Sequence, residues 1–172
     1  MYFTFSQEGT PLRQQNNKNS LKQLMAYDDF IGTCNCTSIR RGTQGEWQDT
    51  LKLRWKWSYI MEGKGVKDEG WYISNGKKNH FTSIRVYDTL NKHWYVTYFT
   101  PELRSTPETW IGGTQGKEIV LKKDQETPQG PMQSVLTFSN ISSKGFSWEG
   151  KIMNTVKEVN YPFWKIWCLK EE

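Results

Sequence analysis

The segment Leu51–Gly63, LKLRWKWSYIMEG, alternates without interruption. Leu51, Leu53, Trp55, Trp57, Tyr59 and Met61 fall on one side, and Lys52, Arg54 and Lys56 on the other. A period of two is that of an extended strand with one buried and one wet face. The aromatic side is expected to point inward.

Similar segments recur with turn residues between them. FIGTCNCTSIRR comes before this strand; GKGVKDEGWYIS, HFTSIRVYDTL and HWYVTYFTP follow it. TWIGGTQ, KEIVLKK, QSVLTFSNIS, GFSWEGKIM and YPFWKIWCLK complete a set of ten. NGKKN and TPQGP read as turns, and Gly70, inside the third strand, as a bulge. Crossover helices are missing, so an antiparallel all-β domain is expected, built as a sandwich or a barrel. The last strand favours a barrel. Trp164, Ile166 and Cys168 lie on one of its faces and Phe163, Trp167 and Leu169 on the other. A strand apolar on both faces makes a poor open edge. Pairing it with the first strand, which holds Cys34 and Cys36, removes that edge.

Residues 1–19 are polar and rich in Asn and Gln, and read as a lead-in to a single domain over 20–172. SLKQLMAYDDF predicts a short N-terminal helix, with Ser20 as cap and Leu21, Leu24 and Met25 on one face.

Composition supports the strand reading. Ala26 is the sole alanine, which disfavours a helical bundle. The chain of 172 residues is long enough for a real core. It carries nine Trp and a net charge of +5. Basic residues are spread along the chain among acidic ones, so solvated faces are expected and no nucleic-acid partner. No apolar run is long enough for a helical membrane span. The start lacks a secretory pattern, and Cys34, Cys36 and Cys168 are odd in number; together these predict reduced thiols in a cytoplasmic protein. The Cys-x-Cys spacing with only two histidines predicts no metal, and no cofactor motif is found. A homodimer stays open.

Several pieces in order resemble the calycin superfamily, and within it a family of small bacterial lipocalin-like proteins of unassigned function. The resemblance covers roughly residues 28–150. Phe30–Thr33, FIGT, stands where the family has Gly-x-Trp, with Cys34 in place of the Trp. YIMEGKGVKDEGW, TSIRVYD, WIGGTQGKEIVL and FSNISSKGFSW follow in the family's order. The resemblance implies an up-and-down barrel with one open end, and no reaction.

Within such a barrel, the rings of Trp55, Trp57 and Tyr59, joined by Trp94, Trp110 and Trp148, either fill the interior or line a cavity. Arg85 shares a strand face with Phe81, Ser83 and Tyr87. That face is inside or outside; the resemblance favours inside. Asp68 would then be its partner, since a buried cation must be paired. The expected function is binding of a small, largely apolar molecule, which a carboxylate or other polar head could anchor on Arg85. The alternative is an isomerase or hydrolase using Asp68, Tyr87 and Arg85.

Overall fold

A computed structural model describes residues 23–101, 107–128, 130–154, 156 and 158–171. Ten antiparallel strands close into a barrel. They are β1 (Gly32–Arg40), β2 (Leu51–Ile60), β3 (Gly65–Ser74), β4 (Lys77–Asp88) and β5 (His93–Phe99), then β6 (Glu108–Gln115), β7 (Glu118–Thr127), β8 (Gly130–Ser142), β9 (Gly145–Asn154) and β10 (Val159–Lys170). Each strand pairs with its chain neighbour, and β1 pairs with β10 to close the ring. The edge problem posed by the last strand is thus solved by closure.

Alternation sets the inside and outside of β2. Leu53, Trp55 and Trp57 are buried, while Lys52, Arg54 and Lys56 are exposed. The expectation for Tyr59 fails. It is 40% exposed: pairing with β1 ends at Gly32 opposite Trp57, so Tyr59 has a strand partner on the β3 side alone. Its hydroxyl instead donates to Asp28, outside the core. Burial and the neighbouring Asp28 carboxylate push this phenol above the usual range.

A 3-10 helix, Met25–Phe30, plugs the end of the barrel from which β1 leaves. Three residues per turn put Leu24, Tyr27 and Phe30 on one side. Tyr27 and Phe30 are fully buried, Leu24 packs against the core, and Met25 is exposed. The face expected from α-helical spacing, with Met25 in it, is therefore corrected by the tighter winding. Ser20, Leu21 and the lead-in 1–19 lie outside the described residues.

Turn chemistry matches the strand ends. Asn75 and Gly76 link β3 to β4 with φ of 51° and 69°, the left-handed pair that a two-residue hairpin turn requires. Gly70 is not a bulge, since β3 keeps regular register with both neighbours. Its reason is space: a Cβ there would lie 2.0 Å from the Phe81 ring. Register does shift between Pro162 and Trp164.

The thiol expectation is overturned. Cys36 and Cys168 face each other across the β1–β10 seam and form a disulfide. Such a bond persists in oxidising surroundings, which removes the ground for reading reduced cytoplasmic thiols from the odd count. Cys34 is the free cysteine and is buried. Burial pushes its thiol up to about 11, so it stays protonated and unreactive near neutral pH. Among the described residues, no helix is long and apolar enough to cross a membrane.

Candidate binding cavity

The barrel interior has two halves. The plugged half is packed with rings. Trp57 lies 5.9 Å from Tyr27 and 4.8 Å from Phe30, centroid to centroid. Phe138 and Phe146 complete the cluster at 5.8 Å each from Trp57. Trp94 meets the Tyr27 ring edge-on at 4.9 Å. Large rings in tilted and edge-to-face contact fill space and add specific attraction.

Above this floor lies a cavity of about 290 Å³. It reaches toward the end where β5 stops and β6 begins, with Tyr98 and Glu108 among its lining. Trp55, Trp110, Trp148 and Trp164 form much of its wall, with Phe138 and Arg85 beside them. The Trp110 indole N–H donates to Ser134 Oγ at 3.2 Å. Trp148 meets Trp164 edge-on at 5.4 Å. A wider hollow of about 680 Å³ lies on the outer wall, among Arg54, Lys56, Trp71, His80 and Phe99.

Arg85 stands where cavity and packed floor meet. It is 2% exposed. Its Nη1 donates to Asp68 Oδ2, and Asp68 is wholly buried. Asp68 Oδ1 also accepts the Trp55 indole N–H at 2.7 Å and the Ser83 hydroxyl at 3.5 Å. The guanidinium lies 4.3 Å over the Trp57 ring and 5.3 Å over that of Tyr27. A charge buried this deeply needs a partner and polarisable faces, and Arg85 has both. Burial lowers Arg85 to about 10, with Tyr27 acting in the opposite sense. It therefore remains protonated near neutral pH. Burial raises the Tyr27 phenol, so that group stays neutral.

The residues singled out from sequence separate into three groups. Trp55, Arg85, Trp110 and Trp148 line the cavity. Asp68, Trp57 and Trp94 lie behind or below it and hold the floor. Tyr59 and Tyr87 belong to neither. Tyr87 is half-buried and packs on Trp94 at 5.4 Å. Asp68, Tyr87 and Arg85 therefore do not meet in the open space, as the enzymatic alternative requires. Sequence reasoning missed Phe163 and Trp164, both of which line the cavity. They are consecutive, and strict alternation would send one of them outward; the register shift between Pro162 and Trp164 lets both turn in.

The fold is similar to that of a solved protein. Rv2717c from M. tuberculosis superimposes with a TM-score of 0.59 at 9% identity, over 87% of this chain and 98% of that one. At that identity the likeness is one of fold alone. A protein of unknown function of the DUF3598 family from Nostoc punctiforme is also similar, at 6% identity over 87% of this chain and 99% of that one, with a TM-score of 0.25; so low a score carries no argument. No family model and no curated protein matches the chain. The class defined by fold and interior is therefore a closed ten-stranded antiparallel barrel with a buried aromatic cluster. The calycin and lipocalin resemblance gains no support from family or sequence matches.

Proposed function

We propose that this protein binds a small, largely apolar molecule inside the barrel. The observation that carries the reading is the cavity of about 290 Å³ inside the barrel, walled by Trp55, Trp110, Trp148 and Trp164. Pockets of this size and lining bury most of a small ligand's surface. The packed floor matters equally, because it fixes the depth of the site and holds Arg85 rigidly at its base. Nothing in the geometry favours turnover. The Asp68 carboxylate is occupied by three donors and is closed off from the cavity, so it is poorly placed as a general base.

Native mass spectrometry of freshly purified protein tests the reading. The wild-type chain is expected to carry a noncovalent small-molecule adduct that leaves on collisional activation. Trp148→Ala is expected to lose the adduct while remaining folded, since Trp148 stands in the cavity wall and not in the packed floor. An adduct retained at wild-type level in Trp148→Ala would place the ligand elsewhere.

A further inference from the structure

Among the described residues lining the cavity, the charged side chains are Arg85, Glu108 and Lys123. Each cation has a carboxylate of its own. At the floor, Arg85 is bound to Asp68. Every partner of the Asp68 side chain donates to it (the Trp55 N–H, the Ser83 hydroxyl and the Arg85 guanidinium). An acceptor-only group surrounded by donors is an ionised carboxylate. At the mouth, Lys123 Nζ lies 3.4 Å from Glu108 and 4.6 Å over the Trp110 ring. The polar ends of the cavity are thus two ion pairs, each summing to zero.

We propose that the cavity selects an uncharged aromatic molecule and rejects a carboxylate of the same shape. This deepens the binding reading given above and rests on it. An anion entering the ring-lined space gives up its water, which is costly in a low-dielectric site. At the floor the attraction of Arg85 is offset by Asp68 directly behind it. Turning the anion around brings no gain, because its head then meets the Glu108 carboxylate beside Lys123. A neutral carbonyl faces neither problem. It carries no net charge to strip of water, so it asks for no countercharge at either end of the cavity. The apolar remainder of such a molecule lies against indole faces, where flat rings pack best.

The proposal reverses the simplest expectation for a buried arginine in a pocket, which is an anion anchor. What decides between them is the position of the countercharge. An arginine kept as an anchor would leave its charge for the ligand to neutralise, whereas Arg85 is neutralised by the fold.

Calorimetric titration of the full chain with 2-acetylnaphthalene and with 2-naphthoate, near neutral pH, tests it. The two probes share a bicyclic ring and differ in charge. The ketone is expected to bind at least roughly tenfold more tightly than the acid, about 1.4 kcal/mol. Asp68→Asn keeps an acceptor for the Trp55 N–H and removes the countercharge, so naphthoate is expected to gain on the ketone by roughly tenfold or more. Glu108→Gln, at the half-exposed mouth, serves if the buried variant fails to fold. There naphthoate should gain by a smaller factor that fades with added salt. Naphthoate binding to the wild-type chain as tightly as the ketone would overturn the selectivity and leave the binding reading standing. Failure of both probes to bind would remove the binding reading, and the selectivity with it.

Discussion

Asp68→Ala is expected to destabilise the protein by about 3–5 kcal/mol, the range for breaking a buried ion pair by removing one partner. The loss is larger than that of a typical core truncation of similar size for a definite reason. Arg85 remains buried and charged, enclosed by Trp57, Tyr27 and Phe138 at 4.3, 5.3 and 5.9 Å, with its countercharge gone. The Trp55 indole N–H loses its acceptor in the same step. Equilibrium unfolding in urea measures the change. The double variant Asp68→Leu with Arg85→Met should recover much of the loss, since a buried ion pair replaced as a unit by apolar groups of similar volume is often neutral or better. If Asp68→Ala unfolds at the wild-type midpoint, Arg85 is not confined as described.

Trp57→Ala is expected to cost about 3–5 kcal/mol, the scale of a large aromatic removed from a packed core. Trp57 touches the ring systems of both plug residues, Tyr27 and Phe30, and of Phe138 and Phe146, and it supports the Arg85 guanidinium from below. It is 1% exposed and is not part of the cavity wall. Its neighbours are large rings held on the 3-10 helix, β8 and β9, so they cannot readily collapse into the space it leaves. Trp148→Ala should cost clearly less, because one side of that ring already faces open space. Unfolding midpoints of the two variants, measured together, should differ in that order; equal losses would mean that the interior is packed throughout.

Much of this arrangement was legible in the sequence, for identifiable reasons. Strand positions follow from period-two alternation, which is strong in β2 because Lys52, Arg54 and Lys56 separate the rings so regularly. Closure followed from the two-sided apolarity of β10, since an exposed edge of that kind is a liability. Alternation alone left the face of Arg85 open between inside and outside; only with the inward face that the resemblance favoured could Asp68 be named as its partner, since a buried cation must be paired. Other features depend on quantities the pattern does not carry. The Cys36–Cys168 bond depends on the register across the β1–β10 seam, and a slip of one residue would have pointed those side chains to opposite faces. Tyr59 keeps the alternation of β2 but lies past the point where pairing with β1 ends, which periodicity cannot reveal. Tyr27 and Phe30 were hidden because a 3-10 turn groups residues three apart, whereas the apolar letters around them also fit an α-helical face. Phe163 and Trp164 required the register shift after Pro162, a residue that within a strand marks such an irregularity but was not read so.

The division of the interior into a packed floor and an open chamber has a functional consequence. Floor residues carry stability and hold Arg85, so a wall residue of the chamber can be changed with less cost to the fold. Leu136 is one such wall residue, half-buried on β8 and facing the chamber. Leu136→Trp is expected to place a further large ring in the empty space and to leave the Arg85–Asp68 pair in place.

Fluorescence titration with N-phenyl-1-naphthylamine, an uncharged dye that brightens in apolar surroundings, therefore tests the central claim most directly. The wild-type chain is expected to bind one dye per barrel, and Leu136→Trp to keep the wild-type fold and unfolding midpoint while losing that site. Binding by Leu136→Trp with wild-type affinity, or no binding by the wild-type chain, would contradict a ligand chamber inside the barrel.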